Sequence, residues 1–187
     1  MNSVLSTLAV LFAATLAAGV ASAGTNTTLS ERAMARQADS IIVGRVVDTQ
    51  SEWVGRTLVT VAKVKVNETL KGGRASTVEV VLPGGIDATR RVPVAMTYPG
   101  APRLVPDEQV LLFLDRSDVR RDALIVSGYA QGKYVVARDP SGQTIVTRNA
   151  SEVGNVGAPG LREGGTERRT LDEFRRQLKG YLAPPRP

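Results

Sequence analysis

Between Thr57 and Glu68 the chain alternates with a period of two, and this stretch restricts the fold more than any other. Leu58, Thr60, Ala62, Val64 and Val66 fall on one side of an extended backbone. Thr57, Val59, Val61, Lys63, Lys65 and Asn67 fall on the other. Side chains of a strand point alternately to opposite faces, so the pattern predicts a half-buried strand with Lys63 and Lys65 in solvent. A helix would scatter the same residues around its axis.

Further segments carry the same signature. Ser40 to Asp48 is rich in Ile and Val and is broken at Gly44, where a bulge or bend is expected. Thr77 to Leu82 reads as a third strand, stopped by Pro83-Gly84-Gly85. Residues 86–108 show no clear period, although Arg91 to Met96 fits an edge strand because Pro93 has no amide to donate. Tyr98 to Pro102 reads as a loop. Gln109 to Leu114 is apolar on both sides, as a strand covered on both faces must be. Ala123 to Ser127 is a short strand. Lys133 to Arg138 and Gln143 to Arg148 form a hairpin about Asp139-Pro140-Ser141-Gly142.

Two helices flank this region. Leu29 to Gln37 is predicted helical, with Thr28 and Glu31 at capping-box spacing. Thr170 and Glu173 repeat that spacing ahead of Leu171, Phe174, Leu178, Tyr181 and Leu182, which share one face of a helix over residues 170–182. Residues 149–169 are Gly-rich and nonperiodic and read as a flexible linker, and residues 183–187 as a disordered tail. The expected fold is all-β: a five- or six-stranded barrel over residues 24–148, with a short N-terminal helix and a docked C-terminal helix. A β-sandwich is the alternative.

Val4 to Ala21 is apolar and uncharged and runs into Ala21-Ser22-Ala23, a small-x-small triplet of the kind a signal peptidase reads. Residues 1–23 are therefore expected to be a signal peptide, cleaved before Gly24, and the protein to be exported, either periplasmic or secreted. An uncleaved anchor is the other reading of this run, which sits at the short edge of a bilayer span. No later segment is apolar enough to cross a membrane. The chain has no cysteine, so burial and hydrogen bonding must hold the exported domain together.

Composition narrows the chemistry. Without histidine or cysteine there is no Ser-His-Asp or Cys-His nucleophile, and the commonest zinc ligands are missing. No phosphate-binding glycine loop appears. Paired carboxylates could still hydrolyse a glycosidic bond, with Asp39, Asp48, Glu52, Asp87, Asp107, Glu108 and Asp115 as candidates. The net charge of +6 is carried mostly by dispersed arginines, which reads as a solvated surface rather than a dedicated anion-binding face. Trp53, beside Gly55-Arg56, and Tyr98 are the aromatics expected at a loop surface. No cofactor, no metal bound within the chain and no nucleic-acid partner are expected.

The run Gln37 to Val46, then Leu70-Lys71-Gly72, Val78-Glu79-Val80, Pro83-Gly84-Gly85, Asp107 to Leu114 and Gln131-Gly132-Lys133-Tyr134 resembles exported bacterial proteins whose barrels are similar to the TIMP/netrin-like OB-fold. The resemblance covers residues 24–148. It implies an OB-like barrel that binds another protein, with an exported metalloprotease as the candidate partner. In the animal inhibitors a free N-terminal cysteine, followed by Thr, chelates the protease zinc; here cleavage would leave Gly24-Thr25 in that place, without cysteines to pin it. The functional expectation is an exported, non-enzymatic protein-binding module with Gly24, Thr25, Trp53 and Tyr98 as partner-binding residues. The alternatives are an envelope- or carbohydrate-binding barrel and a carboxylate-dependent hydrolase.

Overall fold

The alternating stretch forms one arm of a long hairpin. In a computed structural model that describes residues 29–149 and 166–184, β1 (Ser40–Val54) pairs antiparallel with β2 (Thr57–Lys71). The expected signal peptide, Gly24, Thr25, Thr28, residues 150–165 of the expected linker and residues 185–187 of the tail lie outside the described residues.

On β2, Leu58, Ala62 and Val64 are wholly buried while Lys63 and Lys65 are exposed, so the register is the one the alternation predicts. Val59, on the charged side, is nevertheless buried, because Val81 and Ala123 pack against it. β1 runs past the expected end at Asp48, since residues 49–54 find ladder partners in residues 57–62 of β2. Gly44 sits at a register shift, and a Cβ there would lie 2.6 Å from the Lys65 carbonyl oxygen. The bulge lets the two strands approach closely where any side chain would collide.

Eight more strands follow: β3 (Thr77–Pro83), β4 (Gly85–Asp87), β5 (Val94–Met96), β6 (Gln109–Arg116), β7 (Leu124–Val126), β8 (Lys133–Arg138), β9 (Thr144–Asn149) and β10 (Thr166–Thr170). The large sheet has the order β1-β2-β3-β7-β6-β8-β9-β10, and β1 also pairs with β6. Its ladders are antiparallel except β3–β7. β4 and β5 form a separate two-stranded sheet. The expected edge strand at 91–96 is reduced to Val94–Met96.

Two sequence expectations change. Residues 166–169 were expected in a linker and instead belong to β10, whose ladder with β9 supplies the order that composition alone did not signal, and Thr170, expected to open the helix, ends that strand while capping α2. α1 (Glu31–Gln37) is capped by Ser30, whose hydroxyl accepts from the Ala33 amide, rather than by a Thr28–Glu31 box. α2 (Leu171–Leu182) has the expected reciprocal box between Thr170 and Glu173.

β1 and β6 are apolar on both sides because each face meets a different core. Ile42, Val46, Val110, Leu112 and Leu114 join Ala62, Val64, Val80 and Leu82 in one cluster. Ile41, Val43, Leu111 and Phe113 face the other way, under Met34 and Ala35 of α1 and Leu171, Phe174 and Leu178 of α2. Phe113, Tyr134 and Phe174 form a triad with centroids 5.4–6.0 Å apart, two of its three pairs being edge-to-face.

Polar side chains in and at the edge of the core pin the helices and loops. Lys71 Nζ donates to the carbonyls of Ala35, Arg36 and Ala38, closing the C-terminal end of α1. Lys133 Nζ bonds Glu108 at 2.9 Å and the Arg103 carbonyl at 2.5 Å, tying the loop before β6 to β8. Tyr134 donates to Glu31, which also pairs with Arg169. Burial, reinforced by the Glu31 charge, holds the Tyr134 phenol above its ordinary range, so it stays a neutral donor. No helix among the described residues is long and apolar enough to cross a membrane.

Candidate functional site

The ladder continuing β1 to Val54 leaves a platform of Thr49, Ser51 and Thr60 side chains on which the β4–β5 sheet rests. Ser51 Oγ accepts from the Ile86 amide at 3.0 Å, and Thr60 Oγ1 donates to the Gly84 carbonyl at 2.9 Å. Gly84 has φ 89°, and a Cβ there would come within 2.5 Å of the Met96 carbonyl oxygen. The Pro83-Gly84-Gly85 signal thus marks both a reversal and a close backbone crossing. Between β4, β5 and the loop leading to β6 lies an open groove of about 650 Å³. Its large exposed apolar side chains are Ile86, Tyr98 and Val105, with Met96 half-buried.

Trp53 lies in β1, half-buried, rather than in the connecting loop. Its indole N–H donates to Asp87 Oδ2 at 2.7 Å, and the Arg90 guanidinium stacks on its ring at 4.6 Å. Asp87 also accepts from the Thr89 hydroxyl and amide and from Arg90. These donors, the Thr89 hydroxyl first and the indole next, hold the Asp87 carboxyl well below the usual carboxylate range. The cluster braces the end of β4 beside the groove, and Trp53 itself does not line the groove.

A second pocket of about 430 Å³ adjoins the first, with Pro83 and Pro102 lining both. Its floor is aliphatic, built from Val59, Val81 and Ile125 of β2, β3 and β7. Val119 and Tyr129, both exposed, rim it together with Asp115 and Asp118.

No protein-family model and no curated protein matches this chain.

The other candidate carboxylates have separate engagements. Asp39 accepts from the Arg116 amide, and Asp48 from the Thr49 amide and Gln50. Glu52 pairs with Arg120, Asp107 with Arg45, and Glu108 with Lys133. Among the described residues no group of three or more acidic side chains is placed to hold a metal ion.

Of the expected partner-binding residues, Gly24 and Thr25 lie outside the described residues, Trp53 braces the groove, and Tyr98 lines it. Sequence reasoning did not single out Ile86, Val105, Val119 or Tyr129. Their only signal was an apolar residue isolated among turn formers, which has no period to read.

Proposed function

We propose that this chain is an exported, non-enzymatic module that binds another protein through the groove and the pocket beside it. One observation carries the reading. Among the described residues the exposed large apolar side chains are Val47, Ile86, Val92, Tyr98, Val105, Val119 and Tyr129. Five of these seven line the two adjoining depressions. Exposed apolar groups scattered singly need no explanation, but their convergence on one surface marks an interaction site.

The strand pairings support a barrel as the scaffold. From β1 they pass through β2, β3, β7 and β6 and return to β1, with β3–β7 parallel. That circuit matches a five-stranded OB-like barrel, as the resemblance to TIMP/netrin-like proteins implies. The apolar run ending at Ala21-Ser22-Ala23 supports export. With the resemblance, it makes an exported metalloprotease the first partner to test.

The test uses the chain beginning at Gly24, immobilised and exposed to the exported fraction of its own host. A specific partner should be captured by the native chain and lost with Tyr98→Ala and Ile86→Ser while folding is retained. A captured zinc protease should also be inhibited, and inhibition should fall when one residue is added before Gly24, because the amine would then be displaced by up to about 3.8 Å. Undiminished inhibition would rule out chelation by the Gly24 amine and leave the groove as the contact. Capture unaffected by the groove variants, or binding to glycans instead of protein, would overturn the reading.

A further inference from the structure

We propose that the aliphatic pocket beside the groove receives an anchor of defined chemistry: an aliphatic side chain of the protein partner followed directly by Lys or Arg. The inference rests on the protein-binding reading and specifies what one end of that surface recognises. The floor is formed by Val59, Val81 and Ile125, and its volume of about 430 Å³ accommodates a side chain and part of the adjoining backbone. Pro83 and Pro102 line both depressions, so a segment lying in the groove passes over them into the pocket.

The rim sets the charge preference. Asp115 and Asp118 are the only charged side chains lining the pocket, and neither has an ion-pair partner among the described residues. In a chain of net charge +6, an acidic margin around an aliphatic floor complements a cation carried next to an apolar group.

The backbone at the rim adds a second, independent indication. Tyr129 has φ 59°, a left-handed conformation that a bulky aromatic residue rarely adopts, and Gly128 before it is left-handed as well. The residue is 47 % exposed, so burial does not compensate this conformation. Strain of this kind collects where a side chain is held for contact with something else.

The test measures binding of acetyl-Gly-Leu-Lys-Gly-amide to the purified chain by methyl chemical-shift changes at Val59, Val81 and Ile125. The same peptide with Glu or Gln in place of Lys serves as control. The Lys peptide should shift these methyls and bind about fivefold more tightly than the Glu peptide, as expected for weak partly exposed ion pairs. Asp115→Asn with Asp118→Asn should bring that ratio close to one while the shifts persist. Tyr129→Gly removes the ring and suits the left-handed backbone, so it should weaken the peptide about tenfold without lowering Tm. No shift at the floor methyls, or equal binding of the Lys and Glu peptides, would overturn the proposal. So would a concentration-dependent dimer abolished by Tyr129→Gly, since the occupant would then be a second copy. Capture of the partner through Tyr98 can survive all of these outcomes, so failure here is distinguishable from failure of the groove reading.

Discussion

The large sheet presents apolar residues outside its inner core in two places, and the chain treats them differently. On β1, β6 and β8 the outer residues Ile41, Val43, Leu111, Phe113 and Tyr134 lie beneath two helices that contribute Met34, Leu171, Phe174 and Leu178. On β2, β3 and β7 the outer residues Val59, Val81 and Ile125 cluster with Val54, Val61 and Ala123 instead of with a helix, and they line a pocket. The first region is aromatic and fully closed. The second is aliphatic, β-branched and bordered by carboxylates. Among the described residues one outer face is closed by helices, while the other keeps a depression with Val59 and Val81 at its base, and under the proposed reading the first serves stability and the second recognition.

The comparison breaks first at α2. Phe174 is fully buried between Phe113 and Tyr134, so Phe174→Ala should cost about 3–5 kcal/mol, read as a shift in the denaturant midpoint at unchanged m. A loss below about 1 kcal/mol would mean that the helices do not close that face. Val64→Ala tests the inner core that both regions share and should cost about 1–3 kcal/mol, against less than about 0.5 kcal/mol for Lys65→Ala. Equal losses would place β2 in the wrong register.

Lys71→Met keeps most of the aliphatic stem and removes the ammonium that closes α1. It should cost about 1–2 kcal/mol and increase amide exchange at the end of α1, leaving β2 and β3 protected. Asp87→Asn tests the brace at the groove. The folded carboxyl titrates below its ordinary value of 3.8, so its contribution is present above that pH and is lost as the pH falls below it. Native and Asp87→Asn proteins should therefore differ in stability at pH 6, and the gap should narrow progressively as the pH falls from 3.8 toward 2, with a red shift of Trp53 emission in the variant at pH 6. A pH-independent difference would mean that the charge is not what holds the indole. Ile86→Ser and Val119→Ser should give the smallest changes, each within about 0.5 kcal/mol, because neither side chain is covered. A larger loss would show that the open surface carries part of the fold.

Strands were legible in the sequence because their signal is local. The alternation of residues 57–68, the doubly apolar residues 110–114 and the Asp139–Gly142 turn each carry their own geometry. α2 was legible through its Thr170–Glu173 box. β10 was not, since Thr166-Glu167-Arg168-Arg169-Thr170 has no apolar face and is a strand only because β9 supplies its ladder. Lys71 and Lys133 read as ordinary turn and strand residues, yet they close a helix and a loop, a role set by carbonyls and a carboxylate 25 to 36 positions away. The site was least legible. Ile86, Val105 and Tyr129 are isolated in sequence, and only the tertiary fold brings their surfaces together.

β10 closes the order of the large sheet, and among the described residues it pairs only with β9. An unpaired strand edge is a template on which further copies can stack into fibrils. Here that edge is five residues long and carries Glu167, Arg168 and Arg169 in succession. Arg168 reaches Asp139, while Arg169 and Arg148 hold Glu167 from either side of the ladder. A strand from another copy would bring the same charges into apposition and would have to strip their water. Among the described residues the sheet thus ends on a short, charged strand, the kind of edge that disfavours self-templated growth, in a chain that has no disulfide to lend it stability.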